Sequence, residues 1–246
     1  MHTRTLVQQS TLENSPTSPT RSTFKKAPAC AACLVALVMT TSSLQAAIVN
    51  TFADIQLWTG SGANQAALTI DWADGQDALV WGYRFDSAKA SDMIRSIVES
   101  DPRLFAKIEQ FGFGQFVHGL GYDRDGDGFS ISSGTNFGPT GFTISGARDG
   151  ATASDVGDSY RETDTGFSMT WSVWTGTGNS YPGAGWNEAQ VGISDLQLAN
   201  QSWVGARFNT PGTAPGAAVA AVPEPQAVGW LAVGLAFFRG RRRSRT

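Results

Sequence analysis

The segment Asp123-Arg124-Asp125-Gly126-Asp127-Gly128-Phe129 places three carboxylates at alternate positions of one short stretch. Alternate aspartates on a tight loop turn their carboxylates toward one point. The glycines permit the turn, and Phe129 can offer its backbone carbonyl. Oxygen-only donors suit a hard cation, and this spacing is that of the first half of an EF-hand-type calcium loop. The second half departs from the motif, because Gly134 stands where a bidentate Glu closes such a loop. A further carboxylate is therefore expected from the stretch Asp149 to Asp164. The expected cofactor is a structural Ca²⁺ held by Asp123, Asp125, Asp127 and Phe129, and the competing reading is an Asp/Gly-rich hairpin turn without metal.

Other chemistry is thinly supplied. Trp58, Trp72, Trp81, Trp171, Trp174, Trp186 and Trp203 could stack on sugar rings, with Trp186 at the end of the loop Tyr181-Pro182-Gly183-Ala184-Gly185 as the candidate for an exposed platform. Tryptophans of this kind are more often core. Trp171 and Trp174 must point to opposite faces of a strand, so at most one of them is expected to face inward. His118 is the only histidine after the leader, and its strand context favours a structural role. With no second histidine there, no cysteine and no Gly-x-Ser-x-Gly elbow, an acyl-transfer triad lacks parts. There is no HExxH and no phosphate-cradling Gly-rich loop. Carboxylate pairs among Asp71, Asp74, Asp77 and Asp86 could act on glycosides, but acidic residues beside turn glycines are common. No catalytic residue is assigned, and the domain is expected to be non-enzymatic.

The elements that must carry these residues show mainly period-two patterning. Leu79, Trp81, Tyr83 and Phe85 alternate with Val80, Gly82 and Arg84; Phe116, His118, Leu120 and Tyr122 repeat the pattern, as do Phe167, Met169, Trp171 and Val173. Leu68, Ile70 and Trp72 suggest an earlier strand, and Val191–Ile193, Leu196–Leu198 and Trp203–Phe208 suggest later ones. Asp74-Gly75, Asp127-Gly128 and Asp149-Gly150 mark turns. Across 87–100, Ala90, Ile94, Ile97 and Val98 fall on one helical face, with Ser or Asp near the start for capping. Asp101-Pro102 reads as a fresh cap with proline at the first helical position, opening a helical turn over 102–108. The expected fold is α+β, a mostly antiparallel sheet with one packed helix; a β-sandwich with an inserted helix is the alternative.

Charge and cysteine use narrow the class. Between Ala47 and Val222 there are 9 Lys/Arg against 19 Asp/Glu, which disfavours nucleic acid and anionic lipid as partners. Both cysteines, Cys30 and Cys33, fall in the N-terminal leader, so the domain has neither disulfides nor thiolate metal sites.

The two ends read as addresses. Lys25 and Lys26, the apolar run Ala27 to Met39 and the small-residue segment Thr40 to Ala47 form the pattern of a secretory signal, with cleavage expected after Ala46 or Ala47. Residues 210–222 are rich in Pro, Gly and Ala, carry no charge and suit a linker, so the exported domain is expected to span 47–209. Val222-Pro223-Glu224-Pro225 follows, then an apolar run from Ala227 to Phe238 and the cluster Arg239, Arg241, Arg242, Arg243 and Arg245. An apolar run with a cationic stop is held in a membrane with its arginines on the cytoplasmic side. As a helix this run would measure about 18 Å, short of the ~30 Å hydrocarbon core, which makes it a temporary anchor.

In this order the motif Pro223-Glu224-Pro225, the apolar run and the arginines over 223–246 resemble the PEP-CTERM sorting signal of exported Gram-negative proteins. The resemblance implies export, transient anchoring in the inner membrane, recognition by an exosortase that cuts near the motif, and release to the cell surface or extracellular matrix. It also implies association with exopolysaccharide and biofilm, with signal peptidase and the export machinery as earlier partners. The central stretch Trp81-Gly82-Tyr83-Arg84-Phe85-Asp86, with Asp92-Met93-Ile94 and the aspartate loop, resembles a module found in other exported proteins that bear this tail. The function these features imply is a structural or interaction role in the extracellular layer, the alternatives being a carbohydrate-binding module and a glycoside-acting enzyme.

Overall fold

The computed structural model describes residues 46–132, 134–209 and 212–223. Over them run eleven strands and one α-helix: β1 (Trp58–Gly60), β2 (Asn64–Asp71), β3 (Ala78–Phe85), α1 (Ala90–Ser100), β4 (Leu104–Phe111), β5 (Gly114–Asp123), β6 (Phe142–Ile144), β7 (Asp158–Glu162), β8 (Thr170–Thr177), β9 (Asn187–Glu188), β10 (Ser202–Asn209) and β11 (Ala218–Ala220). The class is α+β, mostly antiparallel sheet with a single helix, as the alternation in the sequence implies. The larger sheet runs β1-β3-β2-β10-β8-β9, with β11 also on β3; the smaller runs β6-β4-β5-β7. Most long ladders are antiparallel, and the parallel β2–β10 ladder lies at the centre of the larger sheet.

Both faces of the larger sheet are buried. On one face Leu68, Ile70, Leu79, Trp81, Phe85, Trp171, Val204 and Ala206 pack with Met93, Ile94, Ile97 and Val98 of α1 and with Leu104, Ile108, Val117, Leu120 and Tyr122 of the smaller sheet. On the other, Ala67, Val80, Trp174 and Trp203 pack with Val49, Phe52, Ile55 and Trp186. Trp171 and Trp174 do point to opposite faces, yet both are buried, because a second layer covers the face expected to be open.

Phe167 and Met169, read as the start of a strand, lie exposed in the bend before β8. The sequence reading is further corrected in three places. The helical turn expected over 102–108 is the start of β4. Asp101 closes α1 through its amide to Ile97, and its carboxylate accepts hydrogen bonds from the Arg103 amide and Trp81 Nε1. That turn ends one helix without starting another, after which Leu104, Ala106 and Ile108 enter the core at period two. Residues 191–193 and 196–198 form no strand; their carbonyls at Ile193 and Leu196 instead accept the amides of Ser91 and Ala90 at the start of α1. These bonds satisfy donors that a helix N-terminus leaves free.

The third correction is the linker. Ala218–Ala220 forms β11, parallel to β3, and Ala218, Ala220 and Ala221 are buried. The amide of Ala220 donates to the carbonyl of Ala47, that of Val49 to Ala218 and that of Ala221 to Val80. Arg103 Nη2 donates to the carbonyl of Val222. Hydrogen bonds to the sheet therefore continue past Asn209 as far as Val222. Of the sorting motif, Pro223 is the last described residue; Glu224, Pro225, Arg239, Arg241, Arg242 and Arg243 lie outside the described residues, as does the leader up to Gln45. Among the described residues no helix is long and apolar enough to cross a membrane.

Candidate metal centre

The aspartate loop opens where two strands of the smaller sheet meet. Asp123 ends β5 and Asp158 begins β7, and the antiparallel register pairs them directly. The chain between them, 124–157, has both its ends at this point and supplies β6 to the far edge of the same sheet along the way. Asp123 is used partly to shape the loop: Oδ1 accepts the Gly126 amide at 2.7 Å and Oδ2 the Gly128 amide at 3.1 Å. Gly126 and Gly128 take φ of 76° and 122°, a region side-chain-bearing residues adopt only with strain. On the returning limb a Cβ at Gly157 would collide with Asp125 Oδ2, so glycine is what lets that carboxylate lie across the neck.

Five carboxylates converge here. Oxygens of Asp123, Asp125 and Asp158 lie within 4.8 Å of one another, as do those of Asp125, Asp127 and Asp155. Asp125 belongs to both groups. Among the described residues no lysine or arginine is ion-paired with any of them. Asp158 is 9% exposed; its Oδ2 accepts the Ser130 amide at 2.8 Å, while its Oδ1 is buried with no hydrogen-bond partner. A buried carboxylate oxygen without a donor is costly unless a cation completes it. Burial first, then the charges of Asp123, Asp155 and Asp125, hold the Asp158 carboxyl above the usual carboxylate range against the pull of the Ser130 amide. The exposed Asp127 is raised chiefly by Asp125 and Asp155. Crowded like charges of this kind are what a divalent ion relieves.

Asp125 thus groups with Asp123 and Asp158 on one side and with Asp127 and Asp155 on the other, and Asp155 and Asp158 lie in the stretch Asp149 to Asp164. Sequence alone could not choose them, since their place depends on the β5–β7 register. Phe129 is held by its ring, which stacks on Phe105 at 3.9 Å between centroids. Trp186 is 7% exposed and packs with Tyr181 in the second core, so it presents no open face for a sugar. Trp72, Trp81, Trp171, Trp174 and Trp203 are buried likewise.

A second polar cluster lies on the outer face of the smaller sheet, beneath loop 124–157, and sequence reasoning found only its histidine. His118 is buried, with Nδ1 3.2 Å from Glu109 Oε2 and Nε2 3.3 Å from Glu162 Oε1. Lys107, fully buried, reaches Glu162 Oε1 at 3.2 Å, Thr135 Oγ1 at 3.2 Å and Asp149 Oδ2 at 3.5 Å. Tyr160 donates to Glu162 Oε2 at 3.0 Å, and Arg148 to both oxygens of Glu109. Burial would raise the Glu162 carboxyl, but hydrogen bonds from His118, the Asp149 amide and Lys107, with the charge of Lys107, hold it down at about 2. Because this value is depressed from an ordinary 4.5, the stabilisation it brings is full above that ordinary value and is lost as pH falls toward about 2. Acidification through this window is expected to cost roughly 3 kcal/mol from this group. In an Asp149→Ala background, where Lys107 stays an ammonium, urea unfolding midpoints should fall more steeply on acidification than when Glu162→Gln is added, and equal slopes would refute the assignment.

No family model, curated protein or solved structure matches the chain.

Proposed function

We propose that this is an exported protein of the cell surface or extracellular matrix, with a non-enzymatic structural or interaction role and a structural Ca²⁺ at the neck of loop 124–157. The metal reading rests on Asp158, whose buried Oδ1 has no hydrogen-bond partner and whose carboxylate groups with those of Asp123 and Asp125, where among the described residues no lysine or arginine is ion-paired. Carboxylate oxygens alone, in a flexible ring of more than four, suit Ca²⁺ better than ions that prefer nitrogen or sulfur. Outside the cell even sites of 10⁻⁴–10⁻³ M affinity fill. The ion would bind the two limbs of the loop together, a staple in a domain without cysteine. Export and exosortase sorting are supported by the basic and apolar leader and by the motif, apolar run and arginines over 223–246. Sorting by such a system would bring the domain to the exopolysaccharide layer.

Thermal melting with excess chelator against millimolar Ca²⁺ tests the site. At roughly ten times Kd, calcium adds about 1.4 kcal/mol, which raises Tm by about 3–6 °C for a domain of this size. Asp158→Asn should abolish the shift while keeping the Ser130 hydrogen bond. A parent protein indifferent to chelator would remove the metal. Cell fractionation with intact mass of the released chain tests export, and a full-length chain in the cytosol would end that reading.

A further inference from the structure

We propose that Lys107 and Asp149 join in an intramolecular isopeptide bond, Nζ to Cγ, which the folded domain forms by itself with loss of one water and with Glu162 as the catalytic acid–base. The bond would tie β4 of the smaller sheet to the loop that covers it. It is independent of the metal, which sits at the loop's neck rather than its middle.

The geometry supplies each part that the condensation requires. The amine is sequestered: the Lys107 side chain is 0% exposed, and its Nζ is surrounded by Glu162, Thr135 and Asp149. The electrophile is held in place, since the Asp149 amide donates to Glu162 Oε1 at 2.9 Å and its Oδ2 accepts from Thr135 Oγ1 at 2.8 Å. Two anchors on one aspartate fix its carboxyl beside the amine, the arrangement that turns a slow bimolecular condensation into an intramolecular one. Glu162 Oε1, 3.2 Å from Nζ, is placed to take a proton. His118 and Tyr160 hold that carboxylate from two further directions. The Thr135 hydroxyl is aimed at the oxygen on which negative charge develops after attack. Asp149 is 35% exposed and borders the open concavity lined by Ser132, Thr135, Thr143 and Ser145, where the expelled water can leave.

The protons balance without an outside reagent. The starting pair is an ammonium and a carboxylate. Glu162 takes one proton from Nζ and delivers it to the Asp149 carboxyl. The amine lone pair then forms the N–C bond, the C–O bond breaks, and the second Nζ proton leaves with that oxygen, through Glu162, as water. The amide keeps the last proton. No oxidation state changes.

The test is the mass of the purified full chain under denaturing conditions, followed by peptide mapping. The parent should be lighter by one water than its sequence requires, for whichever ends it carries, with a branched peptide linking Lys107 to Asp149. Asp149→Asn should be lighter by one ammonia, with the same branch, because the amide nitrogen then leaves in place of oxygen. Lys107→Arg and Asp149→Ala should have full mass, and Glu162→Gln should stay unjoined. A parent at full mass overturns the proposal. So does a water loss that persists in Lys107→Arg, since Asp149-Gly150 can lose water by cyclising on its own backbone. Should Lys107→Arg fail to fold, the branched peptide of Asp149→Asn decides, because an asparagine before Gly150 also loses ammonia by cyclising on its own backbone, and absence of the branch counts against the bond. A Glu162→Gln chain that joins as completely as the parent would remove Glu162 from the reaction.

Discussion

Trp203→Ala is expected to lower the stability of the domain by about 3–5 kcal/mol, the range for removing a fully buried aromatic from a packed core. Trp203 is 0% exposed and sits at the centre of the second core. Its ring meets Phe52 at 4.4 Å and Tyr181 at 5.4 Å between centroids, and Nε1 donates to the Gly178 carbonyl at 2.8 Å. Truncation would open a cavity between β10 and the segment 49–55, and leave that carbonyl without its donor. A tryptophan serving as a surface platform for sugars would behave differently, since surface substitutions stay within about 0.5 kcal/mol. Urea unfolding of parent and variant separates the two. A variant as stable as its parent would place Trp203 outside the core and return the tryptophans to the glycan reading.

The reason this residue resisted interpretation from sequence applies to much of the fold. Alternation identified β3 to the residue, and located β2, β5, β8, β10 and α1, because each has an apolar face to declare. It could not show that the opposite face of the larger sheet is covered too, since the covering pieces are short: Val49, Phe52 and Ile55 come from a segment with no strand-length pattern. β7 (Asp-Ser-Tyr-Arg-Glu) escaped because its buried side chains are polar, and Ser159, Tyr160 and Glu162 find their partners only in the tertiary fold. β4 was hidden by Asp101-Pro102, whose residue types open helices as readily as they end them. The candidate metal site divides in the same way. Asp123, Asp125 and Asp127 are legible because their convergence is local, whereas Asp155 and Asp158 arrive through a strand register across a long loop. The Lys107 cluster was illegible: one charged residue in a strand normally reads as solvent-facing, and its partners lie on β5, β7 and the covering loop.

The same limit explains the carboxy-terminal segment, where an error of reading has the largest consequence. Alanines contribute little apolar area, so residues 210–222 have the composition of a tether, yet β11 occupies the edge of β3 beside β1. A chain that stops at Asn209 is therefore expected to be far less stable than one that stops at Val222. Its loss strips partners from the Val49 amide and from the carbonyls of Ala47 and Val80. It also takes the Gly216 amide from Asp71, a buried carboxylate left to Arg207 and the Ala73 amide. At about 1–3 kcal/mol for each of the two buried groups left unpaired, at Val49 and Val80, the shorter chain loses roughly 2–6 kcal/mol. That is a large part of the 5–15 kcal/mol typical of a domain, and Tm should fall by about 4–24 °C. Circular dichroism melts of the two truncations, both starting at Ala47, measure the difference directly. Coincident melts would show that the segment is a tether after all. If sorting removes the tail at Pro223–Pro225, the cut leaves β11 in the sheet and the mature domain intact. A cut before Ala218 would release a chain that has lost its edge strand. The Ile48–Val219 bridge also sets the segments around Ile48 and Val219 side by side on that edge, so the sheet is complete only when both segments are present.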